Sequence, residues 1–139
     1  MGSVQFLEST EKLSWIQQYN QFNEEFNIYR TVVVTNNRMI LNYLHDLLQK
    51  EDFSVFKTCS GSPAYDYETF LRKLYRIFFI TSSELLDSSE DFMKILMDEH
   101  NFIILENLNY EETENVMNLL KKAKKTGFLE KHPYYIWIN

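Results

Sequence analysis

Glycine, proline and cysteine are scarce in this chain: three, two and one among 139 residues. Each scarcity excludes something. A single cysteine, Cys59, cannot close an internal disulfide, and it has no second cysteine to share a zinc ion with. With no secretory signal ahead of the first helix, a reducing, cytoplasmic setting is the expectation. Phosphate-cradling turns need glycine beside a helix start, and the turn after the first apolar run, Thr35-Asn36-Asn37-Arg38, has none. P-loop and Rossmann sites are therefore not expected, and no cofactor is implied. No apolar stretch is long enough to cross a bilayer, so no membrane insertion is expected. Positive charge is in deficit at a net −6, whereas binding a phosphate backbone takes a basic face. Nucleic acid is not an expected partner. The one basic run, Lys121 to Lys125, reads as a helix C-terminus, where cations suit the macrodipole.

What the chain does have is apolar and aromatic mass, 45% and 16% of its residues, enough for one folded domain with a sizeable core. Four short apolar runs punctuate it: Thr31–Val34, Phe53–Phe56, Ile77–Ile80 and Phe102–Leu105. Each is followed by a segment with helical or loop chemistry. Strands alternating with helices predict an α/β fold, a three-layer sandwich around a mostly parallel sheet of four to five strands. The fifth strand, or a docking tail, is Tyr134–Ile138. Ahead of the first run, residues 10–26 carry Leu13, Trp15, Ile16, Tyr19, Phe22 and Phe26 at helical spacing. The expected division is an N-terminal amphipathic helix over residues 1–28, packed on an α/β domain over 29–139.

Sites for chemistry are thin. His45, His100 and His132 have no i, i+4 pairing, so they read as surface or turn residues and no metal is expected. Cys59 follows a strand in a Ser-rich loop, but the nearest arginine, Arg72, falls within a helical segment. Acidic pairs such as Glu111/Glu112 and Glu90/Asp91 open helices, where they complement the dipole. A receiver-type phosphorylation site would need carboxylates where Asn36-Asn37 stands, and an aspartate where Thr81-Ser82-Ser83 follows the third run.

From Tyr29 to about Asn107 the order of features resembles a Toll/interleukin-receptor (TIR) domain. Leu44 to Glu51 stands at the family's "LxxxLE" turn, Asp52-Phe53-Ser54-Val55-Phe56 at its "gFxVf" strand, and Ile77 to Ser88 keeps the two serines of "IvvlSxxylxSxxC" as Ser82 and Ser88. Phe102–Leu105 stands at "iiPI". The first box departs from the family, since Arg30 to Thr35 lacks the acid and aromatic of "DaFiSY". The resemblance implies a TIR/flavodoxin-like fold and a signalling role of the innate-immunity kind. It implies a non-enzymatic adaptor or scaffold acting through domain assembly, with a protein partner that is another TIR-like domain or a second copy. The family's interface loop falls on Cys59, Ser60, Gly61, Ser62, Pro63, Ala64 and Tyr65, with Tyr67 a further aromatic anchor. In NAD-cleaving members a glutamate follows the second serine; the corresponding position is Lys94, so no catalytic residue is expected. The alternative is a divergent NAD glycohydrolase using Glu90 or Glu99. A flavodoxin-like regulatory protein or viral effector that binds one host protein is a third reading.

Overall fold

A computed structural model describes residues 4–9, 12–58, 74–124 and 134–139. They form an α/β sandwich on a six-stranded, all-parallel sheet. In chain order the elements are β1 (Val4–Leu7), α1 (Trp15–Glu25), β2 (Thr31–Thr35), α2 (Arg38–Lys50), β3 (Val55–Lys57), β4 (Ile77–Thr81), α3 (Ser82–Leu86), α4 (Glu90–Glu99), β5 (Phe102–Glu106), α5 (Tyr110–Lys124) and β6 (Tyr134–Ile138). The strands lie in the order β1-β6-β5-β2-β4-β3.

The α/β expectation holds, with one strand more than expected. Val4-Gln5-Phe6-Leu7 is too short and mixed to announce itself, yet it pairs with β6 as an outer strand, from Val4↔Tyr134 to Leu7↔Trp137. The segment before residue 28 thus contributes a strand as well as a helix. That helix begins at Trp15 rather than residue 10, because Ser14 caps it. The Ser14 hydroxyl accepts from the Gln17 N–H at 3.3 Å, and the Gln17 side chain accepts from the Ser14 N–H at 3.0 Å.

Strand order also differs from the flavodoxin-like arrangement. Counted from β2, the last five strands run 2-3-1-4-5, where a flavodoxin-like sheet runs 2-1-3-4-5. Burial supplies the reason. β4 is buried at all five positions and takes an interior place beside β2, while β3 has three half-buried residues and suits an edge.

Both faces of the sheet are covered. α1 and α2 lie on one face, where Tyr19, Phe22, Leu41, Leu44 and Leu48 meet Val33, Phe79, Phe102 and Trp137. The aromatic stripe of α1 is core: Tyr19 stacks on Phe102 at 5.9 Å, and Phe22 meets Trp137 edge-on at 5.2 Å. α3, α4 and α5 cover the other face, where Leu85, Phe92, Leu96, Val116 and Leu120 meet Val32, Val34, Phe78, Ile80 and Ile103. α2 ends where Asp52 turns left-handed at φ 64°, and Asn107 does the same at φ 57° just past β5. Asp and Asn tolerate that region better than most side chains. No described helix is long and apolar enough to cross a membrane.

Candidate functional site

In open parallel sheets, ligands bind beyond the carboxyl ends of the strands, where successive connections leave on opposite faces. Here that place lies between β2 and β5. β2 leads into α2 on one face, and β5 leads into α5 on the other. The residues gathered along this edge are polar and mutually bonded.

Arg38, the first residue of α2, reaches across the strand ends. One guanidinium nitrogen donates to the Thr58 carbonyl at 2.6 Å and to its hydroxyl at 3.0 Å, and the other pairs with Glu84. The same Glu84 oxygen accepts from the hydroxyls of Thr58 at 2.8 Å and Thr81 at 2.6 Å, and from the Thr81 N–H at 3.2 Å. Partial burial pushes the Glu84 carboxyl up, but the bonds from Thr81 and Thr58 and the Arg38 charge outweigh it and hold it below the usual range. Nearer β5, Glu112 accepts from the Asn36 amide at 2.9 Å and the Ser82 hydroxyl at 3.3 Å. Those bonds, Asn36 first, lower its pKa. Glu106 accepts from the Trp15 indole at 3.0 Å and the Asn139 amide at 2.9 Å.

Chemically this is a set of charges already answered by donors of the same chain. The turns after β2, β4 and β5 contain no glycine that would let a phosphate approach the backbone. No group of three or more His, Cys, Asp or Glu able to hold a metal occurs among the described residues.

The residues anticipated from sequence fall elsewhere. Glu90 opens α4 and lies 3.9 Å from Lys122, with both side chains exposed. Glu99 closes the same helix and pairs with Arg30 at 3.7 Å, at the amino end of the sheet. The two carboxylates therefore sit at opposite ends of one helix, and the carboxylate beside Ser82 is Glu112. Lys94 lies on α4 beside a shallow groove with Ser88, Glu90, Met93 and Lys122. The loop Cys59 to Tyr65, together with Tyr67, lies outside the described residues, as do Arg72 and His132. Contrary to the surface reading, His45 and His100 are buried.

Sequence reasoning missed Arg38, Thr58, Glu84 and Glu112 as a constellation. Two local signals were available: Thr81-x-x-Glu84 and Asn109-x-x-Glu112 both have capping-box spacing, and both form that bond pattern. Nothing local joins Arg38 to Glu84, which are 46 residues apart.

No family model and no curated protein matches the chain. Several solved structures share its fold. The crystal structure of the C-terminal part of the Fun30 ATPase domain matches 88% of this chain and 38% of its own, at 10% identity and a TM-score of 0.57. The UvsW helicase from bacteriophage T4 matches 98% of this chain and 46% of its own, at 8% identity and 0.52. A second T4 UvsW structure matches 99% and 28%, again at 8% and 0.52. The chain spans less than half the length of each. At such identities the likeness is one of fold, that of Rossmann- and RecA-like α/β domains.

Proposed function

We propose that this chain is a non-enzymatic protein–protein interaction module that works through the carboxyl edge of its sheet. The observation that carries the reading is the closed state of that edge among the described residues. Where an α/β enzyme keeps an open acid, base or phosphate loop, Arg38, Glu84, Thr58 and Thr81 are bonded to one another. Around this polar centre stand three exposed apolar side chains, Met39, Leu86 and Tyr110. Met and Tyr are enriched in interface cores, where they supply contact area around a few polar anchors. The paired serines of the TIR resemblance favour an assembly role as well, although the strand order places different neighbours around them.

The test compares the wild-type chain with Met39→Asp/Tyr110→Asp. Sedimentation velocity and quantitative cross-linking follow self-association and partner recovery, with ATP and NAD turnover measured on the same samples. Association lost in the double variant, with no turnover in either protein, is the expected result. Turnover of either nucleotide by the wild type would replace this reading with an enzymatic one.

A second reading has its own support. One of the structural neighbours is described as a helicase and another as part of an ATPase domain, and they match 98% and 88% of this chain. On that reading the chain is one RecA-like half of a nucleic-acid machine, completed by another domain. Fluorescence anisotropy with labelled single- and double-stranded DNA distinguishes the two, because salt-sensitive binding belongs to the second alone.

A further inference from the structure

Four donors converge on one carboxylate oxygen at the sheet edge, and three chain segments supply them. Glu84 Oε1 receives Arg38 from the start of α2, the Thr58 hydroxyl from the exit of β3, and both the hydroxyl and the N–H of Thr81 from the end of β4. The donors are held in place by contacts other than Glu84. Arg38 is anchored by its second nitrogen to Thr58, at 2.6 and 3.0 Å. Thr58 donates its N–H to the Phe79 carbonyl at 3.1 Å, and Thr81 is fixed by its pairing with Thr35 in the sheet. The Thr58 hydroxyl has one orientation open to it, since it accepts from Arg38 and donates to Glu84. Water reaches the site, because the Arg38 and Glu84 side chains keep 27% and 23% of their exposure.

A cation with three fixed dipolar donors around one point is the chemistry of carboxylate recognition, where charge-assisted bonds are the strong ones. We propose that Arg38, Thr58 and Thr81 form a preorganised carboxylate pocket and that Glu84 is its resident occupant, supplied by the chain itself. The pocket goes beyond the interaction role and stands independently of it. Tethering gives Glu84 a high effective concentration, so free carboxylates do not compete in the wild type. With the tethered group removed, a small carboxylate takes its place.

Formate is the probe, titrated against sodium chloride at matched ionic strength, with thermal unfolding as the readout. In Glu84→Ala, formate gives a saturable rise in Tm of about 5 °C at a tenfold excess over its dissociation constant. The wild type and the double variant Glu84→Ala/Arg38→Met show no such rise. In ¹H–¹⁵N spectra of Glu84→Ala, formate moves the Thr58 and Thr81 amides and the Arg38 side chain. If Glu84→Ala does not fold unaided, recovery of soluble protein on refolding in formate, but not in chloride, supports the pocket; equal recovery in both overturns it. A formate response in Glu84→Ala no greater than in the double variant likewise overturns it.

Discussion

At the amino end of the sheet the most deeply buried polar groups are neutral and sealed from water, with the Arg30–Glu99 pair at the rim, whereas at the carboxyl end an ion pair joins the buried hydroxyls in one network. At the amino end, His100 Nδ1 donates to the Leu96 carbonyl at 2.8 Å, which leaves Nε2 to accept from the Tyr75 hydroxyl at 3.0 Å. Asn101 joins three segments: it accepts from the Tyr29 N–H, donates to the Asn27 carbonyl, and its own carbonyl accepts from the Tyr135 N–H. Tyr19 and Thr31 share a bond of 2.7 Å in the same layer. Neutral partners suit such depth, because an unpaired charge there would cost several kcal/mol. The carboxyl end holds Arg38, Glu84, Glu106 and Glu112 in partial solvation, where ion pairs cost less to form. One end is built for cohesion and the other for contact.

The strongest challenge to that division is a cavity on the cohesive side. Phe102 is fully buried between Tyr19 and Phe22. Phe102→Ala is expected to cost about 3–5 kcal/mol in urea unfolding, since the stacked rings cannot collapse onto a methyl group. A cost near 1 kcal/mol would mean that α1 is not held through this layer.

Acid sharpens the comparison because the losses at the two ends begin at different pH and only the first acts above about 4.5. Burial pushes the His100 pKa down to about 3. An unfolded histidine takes up its proton near 6.5, so between these values the unfolded state binds more protons and stability falls as pH is lowered. The loss reaches on the order of 3 kcal/mol by pH 4. Glu84, held below the ordinary carboxyl value of 4.5, adds a second loss that starts only below that value. His100→Phe should flatten the slope between pH 6.5 and 5, and Glu84→Gln should spare it. The reverse pattern would assign the upper window to the wrong end.

A smaller effect belongs to Thr81→Val, which keeps the shape and removes one donor to Glu84. A cost of about 1.5–2 kcal/mol is expected, in line with hydrogen bonds to charged groups. The smallest belongs to the exposed apolar side chains of the contact end. Tyr110→Ser should alter stability by no more than about 0.5 kcal/mol while weakening partner binding. A large loss of stability would make Tyr110 part of the core instead.

The sequence disclosed these two ends unequally. The fully buried strands were legible because parallel sheets covered on both faces leave continuous apolar runs, as in Val32–Val34 and Ile77–Ile80. The α1 stripe was legible through its 3.6-residue period. β1 was not, since Val4 and Leu7 face opposite sides with exposed Gln5 and Phe6 between them. Strand order was hidden because apolar runs identify strands without naming their neighbours. The carboxyl-edge cluster was hidden for a related reason: Arg38, Thr58 and Glu84 meet only after β4 has taken its place between β2 and β3. His100 looked like a turn residue because the apolar groups around it come from distant segments.

The pairing of β1 with β6 has a kinetic consequence. Strand partners such as Val4 and Tyr134 lie almost a full chain length apart, and a parallel pair cannot zip from a local turn. During synthesis β1 emerges long before β6, its partner among the described strands, and until then Val4–Leu7 is an unpaired edge open to other chains. Folding dominated by such distant closures is slow. The same geometry brings Ser9, just past β1, to 2.9 Å from Asn139, just past β6.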